Sequence, residues 1–192
     1  DAPITQYDQL SRILGYRVSV TPAPQYDELL FNCRQQPMSD IRVRQAIALA
    51  INWRRIASAV SRGLGESGMA DQATGSWSFN PSVKPDPYDP GRAKSLLTAA
   101  GWRPDKNDAW QKDGEPLKVR ITTASGSVTR TAEQLLIQRD LSEVGIRAVA
   151  LTYPENILFA PASDRGLLAT GNYDLAIIET GPLPDPDDTI YV

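Results

Sequence analysis

Hydrophobic positions along this chain change their spacing several times, and each change marks an element. Residues 16 to 20, "YRVSV", and 26 to 33, "YDELLFNC", are short runs of aromatic and aliphatic residues that read as strands, with the turn-forming "TPAP" between them. From "SDIRVRQAIALAIN" the period lengthens. Val43, Ile47, Ala50 and Ile51 fall on one helical face, with Arg42, Arg44, Gln45 and Asn52 mostly off it. Ser39 or Asp40 supplies the N-cap, and Pro37 keeps the helix from starting earlier. This helix, or a second one after Asn52, runs through "WRRIASAVSRG" and stops at Gly63.

Residues 64 to 87 show no period and read as an extended excursion. In "YDPGRAKSLLTAAGW", Asp89 is the N-cap, Pro90 opens the first turn, and Ala93, Leu96 and Leu97 face inward. Gly101 ends the helix. "AWQKDGEPLKVRITTAS" reads as a hairpin turning at Asp113-Gly114, with Leu117, Val119 and Ile121 alternating behind it. A second strong helix spans 127 to 144, with a strand at 146 to 153, a weaker helical patch and a strand at 173 to 179. Strands alternating with helices predict an α/β fold, a mixed sheet flanked by helices.

Composition narrows the chemistry more than the fold. The 192 residues carry 20 Lys+Arg against 23 Asp+Glu, so no basic excess draws the chain to nucleic acid. There is no histidine, which removes Ser-His and Cys-His triads and His-based zinc sites. Cys33 is the single cysteine, so no internal disulfide forms, and its strand-like setting predicts a buried, inert thiol. No apolar run is long enough to span a bilayer. The abrupt ends, "DAPITQ" and "DPDDTIYV", read as cuts from something longer.

Four features are candidates for chemistry. Arg42 and Arg44 lie near a helix N-terminus and could clamp an anion, although a solvent face paired with carboxylates is the simpler assignment. "TTASGSVTR", residues 122 to 130, joins a strand to a helix through small hydroxyl residues. Such edges collect ligands in open α/β sheets, and a plain N-cap at Ser125 or Ser127 fits equally well. Asp185, Asp187 and Asp188 in "PDPDD" could serve a divalent-metal hydrolase, but proline beside aspartate more often makes a turn. Trp53, Trp77, Trp102 and Trp110 are expected in core or lid packing.

Taken in order, the blocks resemble the extracellular solute-binding proteins of the peptide/nickel class that feed ABC importers. The matching stretches are "LLFNCRQQPMSDIRVRQAIALAINWRRI", "YDPGRAKSLLTAAGW", "DGEPLKVRITTASG" with "AEQLLIQRDLSEVGIRAVAL", and "GNYDLAIIETGPLPDPDD". They run in register from about residue 16 to 188. The resemblance implies that residues 1–192 form one C-terminal-lobe domain of a two-lobed, periplasmic-binding-protein-like fold. It implies a receptor and not an enzyme, with no cofactor. The receptor would capture a peptide-like small solute outside the membrane by lobe closure and deliver it to ABC permease subunits. Contact with the membrane would come only through permease docking or a lipid anchor. The same fold repurposed for regulation is the competing assignment.

The cleft edge implied for this chain comprises Ser125, Ser127 and Thr129 with Glu179, Thr180 and Gly181. One departure stands out. Peptide-binding members carry Gly-Trp and then an Asp that holds the ligand's ammonium. Here Glu179 and Thr180 take the first places, and Pro182 or Leu183 the acidic one. Losing that carboxylate removes a contact of about 1.5–3 kcal/mol. Sugars, opine-like compounds, metal chelates and lipid headgroups stay open as solutes, with Glu179 as a compensating acid.

Overall fold

A computed structural model describes residues 6–21, 25–68, 77–84 and 86–181. The elements follow in the order α1 (Tyr7–Leu10), β1 (Tyr26–Phe31), α2 (Ile41–Ala50), α3 (Trp53–Ser61), α4 (Pro90–Ala99), β2 (Arg103–Pro104), β3 (Trp110–Lys112), β4 (Glu115–Pro116), β5 (Lys118–Ala124), α5 (Val128–Glu143), β6 (Arg147–Tyr153), α6 (Glu155–Leu158) and β7 (Leu175–Thr180). The chain divides into two compact units. One comprises Asp1–Tyr26, Trp53–Pro85 and Gly181–Val192; the other comprises Asp27–Asn52 and Asp86–Thr180.

In the first unit, α3 buries Ile56 and closes on Ser61, whose hydroxyl donates to the Ala57 carbonyl and accepts from the Gly65 amide. Arg62 pairs with Asp8. "YRVSV" does not form the expected strand. It pairs with no strand among the described residues, and Tyr16 and Val20 stand 78% and 50% exposed. Branched and aromatic residues favour a strand only where a neighbouring strand and a buried face receive them. Trp77 is likewise exposed and not packed in a core. The turn at 22–24 and much of the excursion, 69–76, lie outside the described residues.

The second unit is built on a four-stranded sheet in the order β1-β7-β5-β6. β5 runs parallel to both neighbours, with Ile121 opposite Ala150 on one side and Leu175 on the other. β1 runs against β7, because the Asn32 amide meets the Asp174 carbonyl at one end and Glu28 meets Thr180 at the other. The sheet is therefore mixed, as the alternation of elements predicts. The hairpin also forms, with Asp113 and Gly114 at φ 53° and 85° as a two-residue turn requires. It pairs only Gln111 with Pro116 and Lys112 with Glu115, and from Lys118 the chain leaves it for the larger sheet. Leu117, Val119 and Ile121 are fully buried there.

The caps follow the sequence. Asp40 accepts from the Arg42 amide at 2.9 Å, Asp89 from the Arg92 amide at 2.8 Å, and Ser127 from the Arg130 amide at 3.2 Å. Val43, Ala46, Ile47 and Ala50 of α2 pack with Ala93 and Leu97 of α4, all shielded from solvent. Arg42 pairs with Asp40 at 2.7 Å and donates to the Ala99 carbonyl at 2.6 Å, where Lys112 donates to the Ala100 carbonyl at 3.0 Å. Cations here satisfy the last carbonyls of α4, which a helix leaves without internal partners. Arg44 donates to the Met38 and Ser39 carbonyls, not to a carboxylate. Both arginines brace the frame. Cys33 is exposed, contrary to expectation: β1 ends at Phe31, Asn32 takes the buried position, and the thiol falls in the following turn.

α5 lies against β5 and β6 and anchors to them through a buried amide. Gln134 is 1% exposed and donates to the Ile121 carbonyl at 2.7 Å and the Leu151 carbonyl at 2.8 Å, one on each strand. Gln134→Leu leaves both carbonyls without that donor and is expected to cost about 2 kcal/mol. Urea denaturation checks this; a midpoint unchanged from the wild type would show that the amide does not hold helix to sheet.

Candidate functional site

The carboxyl ends of β5 and β7 are where an open α/β sheet presents ligand-facing groups. After Ala124 the chain turns through Ser125, Gly126 and Ser127 into α5. Gly126 sits at φ 101°, a backbone angle that side chains rarely allow. The Ser125 amide donates to the Tyr153 carbonyl at 2.7 Å, tying this turn to the end of β6. Ser127 is the N-cap of α5. The hydroxyls of Ser125 and Thr129 have no hydrogen-bond partner among the described residues, and Ser125 is exposed.

The two halves of the predicted edge meet through a residue that the sequence did not single out. Arg130, in the first turn of α5, donates to Glu179 of β7 at 2.9 Å and to Asp27 of β1 at 3.3 Å. Its side chain is only 15% exposed, against 57% for Glu179. Three elements distant in sequence are thereby held by one guanidinium. Next to it the Thr180 hydroxyl donates to Glu28 at 2.5 Å. Glu179 is thus engaged by Arg130 and does not stand free as a replacement for the missing acid. Gly181 follows directly in the chain and is exposed. Pro182, Leu183, Asp185, Asp187 and Asp188 lie outside the described residues.

The electrostatics of this corner are set by burial. Burial raises the Asp27 carboxyl, with Arg130 partly opposing it. Glu133, one helical turn beyond Arg130, is pushed from 4.5 to about 8, first by burial and then by the charge of Asp27, again with Arg130 opposing. Two carboxylates, Asp27 and Glu179, therefore bind one arginine, and a third, Glu133, lies within its electrostatic reach. The signal for this in the sequence is faint: acids opening β1 and closing β7, with an arginine three residues after an N-cap serine.

Two open hollows lie elsewhere in the second unit. One, of about 350 Å³, is lined by Lys118, Arg120, Val149, Leu151 and Asp174; the other, of about 540 Å³, lies along α5 and β6 from Leu135 to Ser142 and from Gly145 to Ala148. Neither includes a residue of the predicted edge. Among the described residues no group of three or more His, Cys, Asp and Glu is placed to hold a metal ion, and no helix is long and apolar enough to cross a membrane.

The middle-region model of the bacterial extracellular solute-binding proteins, family 5, matches residues 1–192. The chain belongs to that family. It is 31% identical over 166 residues to the dipeptide-binding protein of Escherichia coli, covering 83% of this chain and 28% of that protein. Over 126 residues it is 31% identical to heme-binding protein A of Haemophilus influenzae, covering 65% of this chain and 22% of that one. The crystal structure of NikA from Brucella suis in complex with Fe(III)-EDTA superposes with a TM-score of 0.82 at 23% identity, over 98% of this chain and 38% of that one. Such neighbours are two-lobed periplasmic binding proteins, and the mixed α/β fold of this family 5 chain is theirs. The chain spans less than a third of the length of these curated relatives.

Proposed function

We propose that this family 5 chain is one lobe of the substrate-binding component of an ABC importer, acting outside the cytoplasmic membrane without bond chemistry of its own. The observation that carries the proposal is the family match across all 192 residues, joined to a fold that superposes over 98% of the chain. Ser125, Ser127, Thr129, Glu179, Thr180 and Gly181 form its share of a solute cleft. The permease and a second lobe are its partners, and hinge closure buries the solute between the lobes.

The chemistry of the edge bears on which solute. A peptide ammonium needs an unengaged carboxylate, and Glu179 already serves Arg130. A solute that does not rely on that contact, such as a metal chelate or a larger planar ligand, suits the edge better than a simple dipeptide. A ligand that binds the native state raises its stability by mass action. A thermal-shift panel on the full-length protein, containing dipeptides, tripeptides, heme and Fe(III)-EDTA, is expected to give its largest shift outside the peptides. No shift with any small solute, together with hydrolysis of one, would overturn the receptor role. Residues 1–192 alone are expected to show no micromolar binding of a small peptide in calorimetry, because half of the contact surface is missing.

A further inference from the structure

An exposed carboxylate at the end of a strand attracts any cation that approaches it. Glu179 is such a group: it lies near the end of β7, and its side chain is 57% exposed. It is also the one charged residue of the proposed edge, since Ser125, Ser127, Thr129, Thr180 and Gly181 bring none. The charge that the edge offers therefore depends on what Glu179 is doing. Its Oε2 accepts from Arg130 at 2.9 Å, and among the described residues Arg130 is the cation bound to it. Arg130 is held independently of that bond. Its amide donates to the Ser127 hydroxyl at 3.2 Å, its guanidinium donates to Asp27 of β1 at 3.3 Å, and its side chain is largely buried. The backbone beside Glu179 is fixed as well, through the bond from Thr180 to Glu28.

We propose that Arg130 is a positioning residue that sets the charge selectivity of the edge: by binding Glu179 it withholds from an incoming solute the one carboxylate the edge carries. An ammonium group that reaches Glu179 meets a guanidinium directly behind the carboxylate, and the repulsion offsets much of the attraction. Taking Glu179 away from the arginine instead leaves Arg130 with Asp27 alone in a mostly buried setting, which costs free energy on the protein's side. Solutes held through hydroxyls, apolar surface or a chelated metal need no acid and meet no such obstacle. Selectivity of this kind comes from an element that disfavours the wrong ligand, not from an added contact to the right one. Arg130 acts through Glu179 and need not touch the solute itself.

This assignment rests on the receptor role proposed above, and its test separates the two. The full-length protein is titrated by calorimetry with alanyl-alanine amide, which has an ammonium and no carboxylate, and with its N-acetyl form, which has neither. Arg130→Gln should tighten binding of the amide about tenfold, the worth of one charge-assisted contact, and leave the N-acetyl form unimproved. Because that variant deprives Asp27 of its cation, Asp27→Asn with Arg130→Gln is measured beside it and should show the same gain in a corner with no unpaired buried charge. Adding Glu179→Gln should abolish the gain, and Arg130→Lys, which retains a cation, should show less of it. A merely structural role for Arg130 predicts weaker binding of every solute and no gain for one class. No gain in either variant, while Fe(III)-EDTA or heme still stabilises the wild type, overturns the selectivity role and leaves the receptor standing. A gain that survives Glu179→Gln, or that extends to the N-acetyl form, overturns it too. Failure of the wild type and every variant to bind any solute overturns the receptor role and the selectivity role with it.

Discussion

Glu133→Gln should make the protein more stable at pH 9 and leave it unchanged at pH 5. Burial pushes the Glu133 carboxyl from 4.5 to about 8, with Asp27 adding to the effect. Between those two values the folded chain keeps a proton that the unfolded chain has released, so each rise in pH across that window favours unfolding. The stability that goes with this proton is fully present below pH 4.5 and is lost as pH climbs through about 8. An interval of that size sets a ceiling near 5 kcal/mol, and residual solvent contact around the carboxyl brings the expected loss to roughly 2–3 kcal/mol. Glutamine keeps the shape and neutrality of the protonated acid at every pH. Urea midpoints at pH 5, 7 and 9 should therefore fall steeply for the wild type and much less for Glu133→Gln. Parallel curves for the two proteins would mean that Glu133 is as solvated when folded as when unfolded.

Why the residues that matter most at this corner escaped the sequence is a question of range. Asp40, Asp89 and Ser127 were legible as helix caps because a cap and the amide it serves lie two or three residues apart. The apolar faces of α2, α4 and β5 were legible for the same reason, as local periods. The Arg130 bridge joins residues 27, 130 and 179, and no local pattern announces a contact across such distances. Mistakes arose where a local pattern lacked its tertiary partner. "YRVSV" has the composition of a strand but pairs with no strand among the described residues, and Cys33 follows the strand's last residue, Phe31, by two positions, beyond the buried Asn32. The family blocks are stretches of sequence, and a stretch does not say what holds it to another. Asn32 of "LLFN" donates to the carbonyls of Gly171 at 2.7 Å and Tyr173 at 2.9 Å, so two blocks far apart in the sequence are halves of one hydrogen-bonded corner. Gly171 adopts φ 71°, and a Cβ there would stand 3.4 Å from the side-chain Nδ2 of Asn32.

Asp174 is the centre of that corner, and Asp174→Ala should cost about 3 kcal/mol. Its carboxylate is 12% exposed and accepts from the Arg120 amide at 2.8 Å, from Nε of the same arginine at 3.1 Å and from an Nη at 3.0 Å. Its own carbonyl accepts from the Asn32 amide, which aligns β1 with the start of β7. One residue thus fixes β1, β7 and β5 in register at the end of the sheet opposite the proposed solute edge. Alanine leaves a backbone amide and a guanidinium without their acceptor, and breaking a buried pair on one side costs more than the pair contributes when intact. The arginine keeps its bond to Asn172 at 2.9 Å and some access to water, which holds the loss below the range for a fully buried pair. Asp174→Asn preserves one acceptor for the Arg120 amide and removes the charge, so its cost should be about half as large. A double-mutant cycle with Arg120→Ala isolates the side-chain coupling, because the backbone bond from residue 120 survives in the arginine variant. Urea midpoints for the four proteins should give a coupling of about 1–2 kcal/mol, with the remainder of the Asp174→Ala loss belonging to the amide. Zero coupling would place the whole effect in the backbone contact and reduce Arg120 to a surface cation.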